Sequence, residues 1–124
     1  MEKKFNFKSI RTFIGAKDYK ESRSFYKDLG FLEIEISKSM CYFKIDENIG
    51  FYLQKANVKE WIDNSMIFLE VQDLEKYLSE IESKELTKKY PKVRLSKIVK
   101  NDWGNEFFLH DPSGILWHIG NFKN

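Results

Sequence analysis

The stretch that decides the fold lies near the C-terminus and reads Asp111-Pro112-Ser113-Gly114, followed at once by Ile115-Leu116-Trp117-His118-Ile119-Gly120. The first four residues are of types that favour a tight turn, and the next six alternate as a half-buried strand does. His118 is the only polar side chain on its face of that strand. The stretch therefore predicts a turn that feeds a strand, with one imidazole on the face opposite the apolar one.

The order of the predicted elements repeats along the chain. Residues 9–54 predict a strand, a helix and three strands, and residues 65–120 predict the same order. Lys55–Asn64 and Glu85–Lys92 are polar and are predicted to be surface connections. The predicted elements are, in chain order, Ser9–Ile14, Tyr19–Leu29, Phe31–Ser37, Met40–Ile45, Ile49–Gln54, Ser65–Val71, Leu74–Lys84, Val93–Val99, Asn105–His110 and Ile115–Gly120. This order predicts an α+β fold of two βαβββ modules, with eight main strands and two main helices.

Capping residues mark both predicted helices. Asp18 is followed three residues later by Glu21, which is the spacing of a capping box, and Gly30 stands where a left-handed C-terminal cap belongs. Asp73 has the same position before the second helix. The apolar residues of that helix recur at helical spacing, which predicts that one side of it covers a sheet: Leu74, Tyr77, Leu78 and Ile81.

Alternation along the predicted strands sorts their side chains into two faces. Ile10, Thr12 and Ile14 fall on the face that carries the apolar residues of the other strands, so we expect helices to cover that face. The opposite face mixes aromatic side chains with polar ones, which is typical of a sheet that lines a cavity. Its polar residues are Arg11, Gln54, Glu70 and His118.

Length and composition limit the number of domains and the classes of partner. With 124 residues, 42% of them hydrophobic, the chain is expected to form one domain over residues 1–124. Lys and Arg total 21 against 19 Asp and Glu, and the basic residues are scattered, so no nucleic-acid partner is expected. Cys41 is the only cysteine, and residues 1–5 lack the apolar segment of a signal peptide or membrane span. We expect a soluble, cytoplasmic protein without a membrane partner.

The helix from Asp18 to Leu29-Gly30-Phe31, together with the turn and strand after Asp111, resembles the start and the end of a vicinal oxygen chelate protein. This superfamily includes lactoylglutathione lyase, extradiol dioxygenases, fosfomycin-resistance transferases and bleomycin-resistance proteins. The resemblance implies two modules, at about residues 5–57 and 62–122, that form an open, incomplete barrel around a cavity. It is closest in pattern to bleomycin-resistance-like members that lack the metal ligands.

The resemblance also locates four positions at which enzymes of the superfamily hold a divalent metal. In this chain they correspond to Arg11, Tyr52, Met66 and His118, with Gln54 in place of Tyr52 if the register shifts by two. Arginine has only donors and keeps its positive charge, and the methionine thioether is a soft ligand unsuited to Mg, Mn or Zn. We therefore expect no metal and no other cofactor.

The first functional hypothesis is binding without catalysis. In this interpretation polar side chains orient a small, anionic or aromatic molecule by charge-assisted hydrogen bonds, and aromatic side chains stack on it. A structural protein whose cavity is filled by its own aromatic residues remains an alternative. The resemblance further implies a homodimer. The candidate ligand-binding residues are Arg11, Tyr52, Gln54, Met66, Phe68, Glu70, Trp103 and His118.

An enzyme of the same superfamily is the other hypothesis. A metal-dependent lyase, dioxygenase or thiol transferase would need further ligands, for example Glu106 or His110 beside His118. A metal-free isomerase could instead use His118 and Glu70 as an acid/base pair, with Arg11 stabilising an oxyanion. The sequence alone does not choose between binding and catalysis.

Overall fold

The computed structural model describes residues 5–123 and contains nine strands and four helices in that range. They are β1 (Phe13–Gly15), α1 (Tyr19–Leu29), β2 (Leu32–Ser37), β3 (Met40–Asp46), β4 (Ile49–Gln54), α2 (Lys59–Asp63), β5 (Met66–Glu70), α3 (Leu74–Ser83), α4 (Leu86–Lys89), β6 (Arg94–Leu95), β7 (Val99–Lys100), β8 (Gly104–His110) and β9 (Leu116–Phe122). None of these helices is long and apolar enough to cross a membrane.

The strands form two mixed sheets of the same topology. The first has the order β1-β4-β3-β2 and the second the order β5-β9-β8-β6, with β7 also paired to β8. In each sheet the first strand runs parallel to the last one, while the remaining pairs are antiparallel. The predicted α+β class and the repeated βαβββ order are confirmed, and no closed barrel forms within residues 5–123.

The cap residues have the predicted roles. Oδ1 of Asp18 accepts a hydrogen bond from the amide of Glu21 at 3.0 Å, and Asp73 accepts one from the amide of Lys76 at 3.1 Å. Gly30 ends α1 with φ 109°, a left-handed conformation that glycine adopts without steric cost. These caps fix where α1 and α3 begin, and so orient each helix on its sheet.

The first predicted strand is too long. Pairing between β1 and β4 begins only at Phe13, opposite Tyr52. The pairing of β3 with β4 shifts register between Lys44 and Asp46, opposite the start of β4. Such a bulge bends the hairpin at the point where residues 9–12 would otherwise pair with β4. Ile10 was expected on the helix-covered face, but its side chain is 96% exposed.

Both predicted surface connections contain a short helix, and the sixth predicted strand is split. α2 and α4 each bury one apolar side chain, Ile62 and Leu86, and one such residue in a polar stretch gives no periodicity to detect. Between β6 and β7, the hydroxyl of Ser96 accepts the hydrogen bond from the amide of Phe108 at 2.8 Å. This side-chain bond takes the place of a ladder bond, which is why Val93–Val99 is not one continuous strand.

The two helix-covered faces share one core. The Tyr26 ring of α1 packs at 4.9 Å from Phe51 of the first sheet and at 5.9 Å from Trp117 of the second, measured between ring centroids. All three side chains are buried. The modules therefore meet through their helix-covered faces, and the other face of each sheet points away from the core.

The turn Asp111–Gly114 is part of this junction. Oδ1 of Asp111 accepts hydrogen bonds from the amides of Ser113 and Ile115 at 2.9 Å each, and Oδ2 accepts one from the Tyr26 hydroxyl at 2.6 Å. The indole of Trp117 donates to the same hydroxyl at 3.0 Å. Asp111 is completely buried, so this network ties the turn of the second module to α1 of the first.

Candidate functional site

Each sheet has one face that the helices leave uncovered. We call them the first open face, which carries Phe13, Leu32, Ile34 and Tyr52, and the second open face, which carries Met66, Phe68, Phe108, His118 and Phe122. Several of these large apolar side chains are exposed, Phe13 at 53% and Met66 at 67% among them. Burial of the opposite face beneath the helices is what leaves these residues free to meet another molecule.

Arg11 is held on the first open face by aromatic residues. Its Nη1 atom donates to the hydroxyl of Tyr52 at 3.0 Å, and its guanidinium carbon lies 4.1 Å from the centroid of the Tyr42 ring. Tyr52 in turn stacks on Phe13 with the ring centroids 4.7 Å apart. Cation–π contact and the hydrogen bond together restrain an exposed positive charge, so it is pre-organised to meet an anion.

His118 is held on the second open face by the carboxylate of Glu106, which is itself hydrogen-bonded to Asn101. Nδ1 of His118 lies 2.9 Å from Oε1 of Glu106, and Oε2 of Glu106 accepts a hydrogen bond from Nδ2 of Asn101 at 2.9 Å. Glu106 is buried, and the imidazole is about one quarter exposed. Asn101 thus orients the carboxylate of Glu106, and that carboxylate orients the imidazole of His118.

Aromatic rings surround this imidazole. Phe68 lies beside it with the ring planes 21° apart, and Phe108 meets it edge-on with the centroids 5.1 Å apart. Phe68 also packs against Trp103 and Phe122 at 5.9 and 5.5 Å. A side chain at Gly120 would clash with the backbone oxygen of Asn105 at 2.7 Å and would come within 3.1 Å of both Phe68 and Glu106, so only glycine fits between these groups.

A cleft of about 740 Å³ is lined by residues 9–12, the start of β4 and β5. Arg11, Met66 and Phe68 are brought together along it, and its apolar wall includes Phe51 and Trp117. This volume falls within the range of small-molecule sites in proteins. The cleft therefore combines one restrained cation with apolar and aromatic surface.

The other predicted site residues lie outside that cleft. Gln54 contacts the sulfur of Met40 and lines a separate cleft of about 440 Å³ beside Phe13 and Trp61. Glu70 lines a third cleft of about 640 Å³, near Tyr77. Glu70 and Glu106 both lie opposite Gly120, on the two strands that flank β9. The acidic partner of His118 is Glu106 and not Glu70, because only Glu106 is hydrogen-bonded to the imidazole. Tyr52, Trp103 and His118 lie on the open faces described above.

The residues at the four superfamily metal positions do not fit a divalent metal. The guanidinium of Arg11 is hydrogen-bonded to Tyr52, so a fixed positive charge stands at the first two positions. Nδ1 of His118 is already paired with Glu106, and the thioether of Met66 is a soft ligand. Within residues 5–123, no three His, Cys, Asp or Glu side chains are grouped closely enough to hold a metal.

Sequence reasoning did not assign Glu106, Asn101 and Trp61 to the ligand-binding set. A usable signal exists for Glu106, since the turn after Asp111 sets the hairpin register and places Phe108 opposite His118. Glu106 is two residues from Phe108 and so lies on the same face, diagonal to the imidazole. Asn101 and Trp61 lie outside the long strands, where alternation predicts nothing.

Solved structures with the same fold include drug-binding proteins. No model of a known protein family matches the sequence, and no curated protein sequence matches it. The bleomycin-binding protein from Streptomyces verticillus, solved with copper(II)-bleomycin, is 18% identical with a TM-score of 0.79 over 96% of this chain and 99% of its own.

Two further structures extend the comparison. The bleomycin resistance determinant encoded on the transposon Tn5 is 18% identical, with a TM-score of 0.75 over 93% of this chain and 98% of its own. A glyoxalase/bleomycin resistance protein from Catenulispora acidiphila is 17% identical, with a TM-score of 0.74 over the same shares. At these identities the likeness concerns the fold. The chain has the two-module α+β fold of the bleomycin-binding and bleomycin-resistance proteins.

Proposed function

We propose that this protein binds a small anionic or aromatic molecule without the help of a metal. The observation that carries the proposal is that Arg11, whose guanidinium is restrained by Tyr42 and Tyr52, lines a cleft of about 740 Å³ together with Met66 and Phe68. Structures of this fold include proteins solved with bleomycin, which supports small-molecule binding. Bleomycin itself is cationic, and Arg11 disfavours a cationic ligand, so we do not propose that drug.

Replacing Arg11 by Ala is expected to weaken the binding of an aromatic carboxylate such as naphthoate by about tenfold or more. The change removes a charge-assisted hydrogen bond to the carboxylate, and alanine cannot replace it. Isothermal titration of the parent and the variant measures the effect. Lys20→Ala, which removes one positive charge from the exposed side of α1, is the matched control and should bind as the parent does. Equal binding by the Arg11 variant would remove Arg11 from the site.

Metal independence is the second part of the proposal. Protein purified without chelator is expected to contain far less than one Mn, Fe, Ni or Zn per chain, because the Arg11 charge and the Met66 thioether are poor partners for these ions. Elemental analysis followed by isothermal titration with each metal tests this. A tight one-to-one site that disappears in His118→Ala would contradict it.

We also propose that the protein is a cytoplasmic homodimer. The edge strand β2 of the first sheet exposes the apolar residues Leu32, Ile34 and Ile36, and a second copy could cover them. Light scattering at micromolar concentration is expected to give about twice the 14.9 kDa chain mass. Ile34→Lys on the edge strand β2 should lower that mass, whereas a single-chain mass for the parent would contradict the proposal. The buried free thiol of Cys41 suits a reducing compartment.

A second candidate function is a metal-free enzyme. The hydrogen bond between His118 and Glu106 favours it, since a carboxylate-oriented imidazole is a suitable proton acceptor. The reaction class would be proton transfer next to a carbonyl, as in enolisation or epimerisation. Exchange of the acidic hydrogens of a bound ligand with deuterated solvent, lost in His118→Phe, would distinguish this function from binding alone.

A further inference from the structure

The imidazole of His118 is held from one side only. Glu106 occupies Nδ1, whereas Nε2 has no hydrogen-bond partner among residues 5–123. The ring is partly exposed on the second open face. One ring nitrogen therefore remains for a molecule from outside the chain.

The carboxylate of Glu106 determines which nitrogen carries the proton. An ionised carboxylate only accepts hydrogen bonds, and Glu106 already accepts one from the amide nitrogen of Asn101. Nδ1 of His118 is then the donor in its bond to Glu106. In a neutral imidazole the second nitrogen is an acceptor, so Nε2 presents a lone pair and no proton.

The surroundings of the imidazole suit a flat, apolar ligand. Phe68 and Phe108 flank the ring, and Trp103 and Phe122 extend the aromatic surface from Phe68. Phe68 is 42% exposed and Trp103 39%, so part of this surface is open to a ligand. Aromatic ligands stack on such rings and gain more than the burial of their area alone.

We infer that the second open face binds an aromatic molecule carrying a hydrogen-bond donor, a phenol, enol or amide N–H, which donates to Nε2 of His118. The inference rests on the proposed function, because Phe68 lines the Arg11 cleft and also packs beside His118, and it narrows the class of ligand. Glu106 is the positioning residue, because it selects the tautomer that accepts. A doubly protonated imidazole would select an anion instead, and the experiment below separates the two.

The tautomer is read directly by nitrogen NMR of the parent protein at about pH 8, where imidazole is ordinarily neutral. The chain has two histidines, so a His110→Phe variant assigns both signals. Burial, with Arg94 and His118 nearby, lowers the pKa of His110, which keeps the comparison ring neutral as well. We expect His118 to carry its proton on Nδ1. A proton on Nε2, alone or in addition, overturns the inference.

Ligand selection is measured with a matched pair, naphthol and its methyl ether, by titration of tryptophan fluorescence. The pair shares one aromatic body, and only naphthol can donate. We expect naphthol to bind about three- to tenfold more tightly, which is the effect of one hydrogen bond. His118→Phe keeps a flat ring but should abolish the preference, whereas the control His110→Phe should retain it.

Equal binding of naphthol and its ether, or no binding of either, overturns the inference. If the two compounds bind equally, the proposed function stands, because a small molecule is still bound. Failure of the inference can therefore be told from failure of the proposed function. Tighter binding of naphthoate than of naphthol that depends on His118 would indicate a protonated imidazole and also overturn the inference. If His118→Phe does not fold, the inference is tested on the parent protein alone, by the tautomer of His118 and by the preference for naphthol over its ether.

Discussion

Replacing Trp117 by Ala is expected to lower the free energy of unfolding by about 3 to 5 kcal/mol, as large-to-small changes of buried aromatic residues do. The indole is 1% exposed and lies between the modules, with Phe51 at 5.2 Å and Phe31 at 6.0 Å between ring centroids. Its N–H also donates to the Tyr26 hydroxyl. The variant therefore loses apolar burial, ring contacts and a hydrogen bond in one step.

Urea unfolding followed by circular dichroism measures this loss. Trp61→Ala is the matched control, because Trp61 lies on the short helix α2 with its side chain 58% exposed, and such surface changes usually stay within about 0.5 kcal/mol. Similar losses in the two variants would mean that Trp117 does not join the modules as the structure indicates.

Much of the fold follows from local chemistry in the sequence. The Asp18 and Asp73 caps, the helical spacing after Leu74 and the strand alternation each depend on residues a few positions apart. Such patterns identify α1, α3 and the long strands with little error. The prediction for Ile10 was wrong because alternation assumes that residue 10 pairs in a sheet. A bulge in the β3–β4 hairpin, remote in sequence, ends that pairing.

The candidate site is less predictable because its geometry arises between elements. Arg11 meets Tyr52 across 41 positions, and strand parity predicts only that they share a face. Strand parity and register place Glu70 and Glu106 alike on the face of His118 and opposite Gly120, and the hydrogen bond of the imidazole is to Glu106. Alternation gives the face of a residue and register gives its neighbours, but the side-chain conformation decides between two equivalent neighbours.

Removal of the Asp111 carboxylate is expected to cost about 3 kcal/mol or more. In Asp111→Ala, the Tyr26 hydroxyl and the amides of Ser113 and Ile115 lose their acceptor in a buried site, and each unpaired buried donor costs about 1 to 3 kcal/mol. Ser113→Gly is the comparison. It keeps the turn amide that donates to Asp111 and removes only the hydroxyl that accepts a hydrogen bond from the backbone amide of Lys17, so we expect a smaller loss. Chemical denaturation at neutral pH measures both.

The carboxylate also makes the stability of the protein depend on pH. Burial, against the hydrogen bonds from Tyr26 and the turn amides, raises the pKa of Asp111 from 3.8 to about 6. A raised pKa means that the folded state binds the proton more tightly than the unfolded one. The stabilisation is complete below the unfolded pKa of 3.8 and is lost as pH rises through about 6, a change of up to roughly 3 kcal/mol.

Asp111→Asn isolates this dependence, because the amide keeps the shape of the side chain and does not titrate. The unfolding free energy of the parent, relative to that of Asp111→Asn, is therefore expected to rise as pH falls from about 7 to about 4. Denaturation curves of the two proteins at each pH give the difference. A difference that stays constant or falls over this range would mean that Asp111 is already well stabilised as the carboxylate. The turn Asp111–Gly114 would then stabilise the fold through its hydrogen bonds alone, and burial of the Asp111 carboxylate would add no pH-dependent cost.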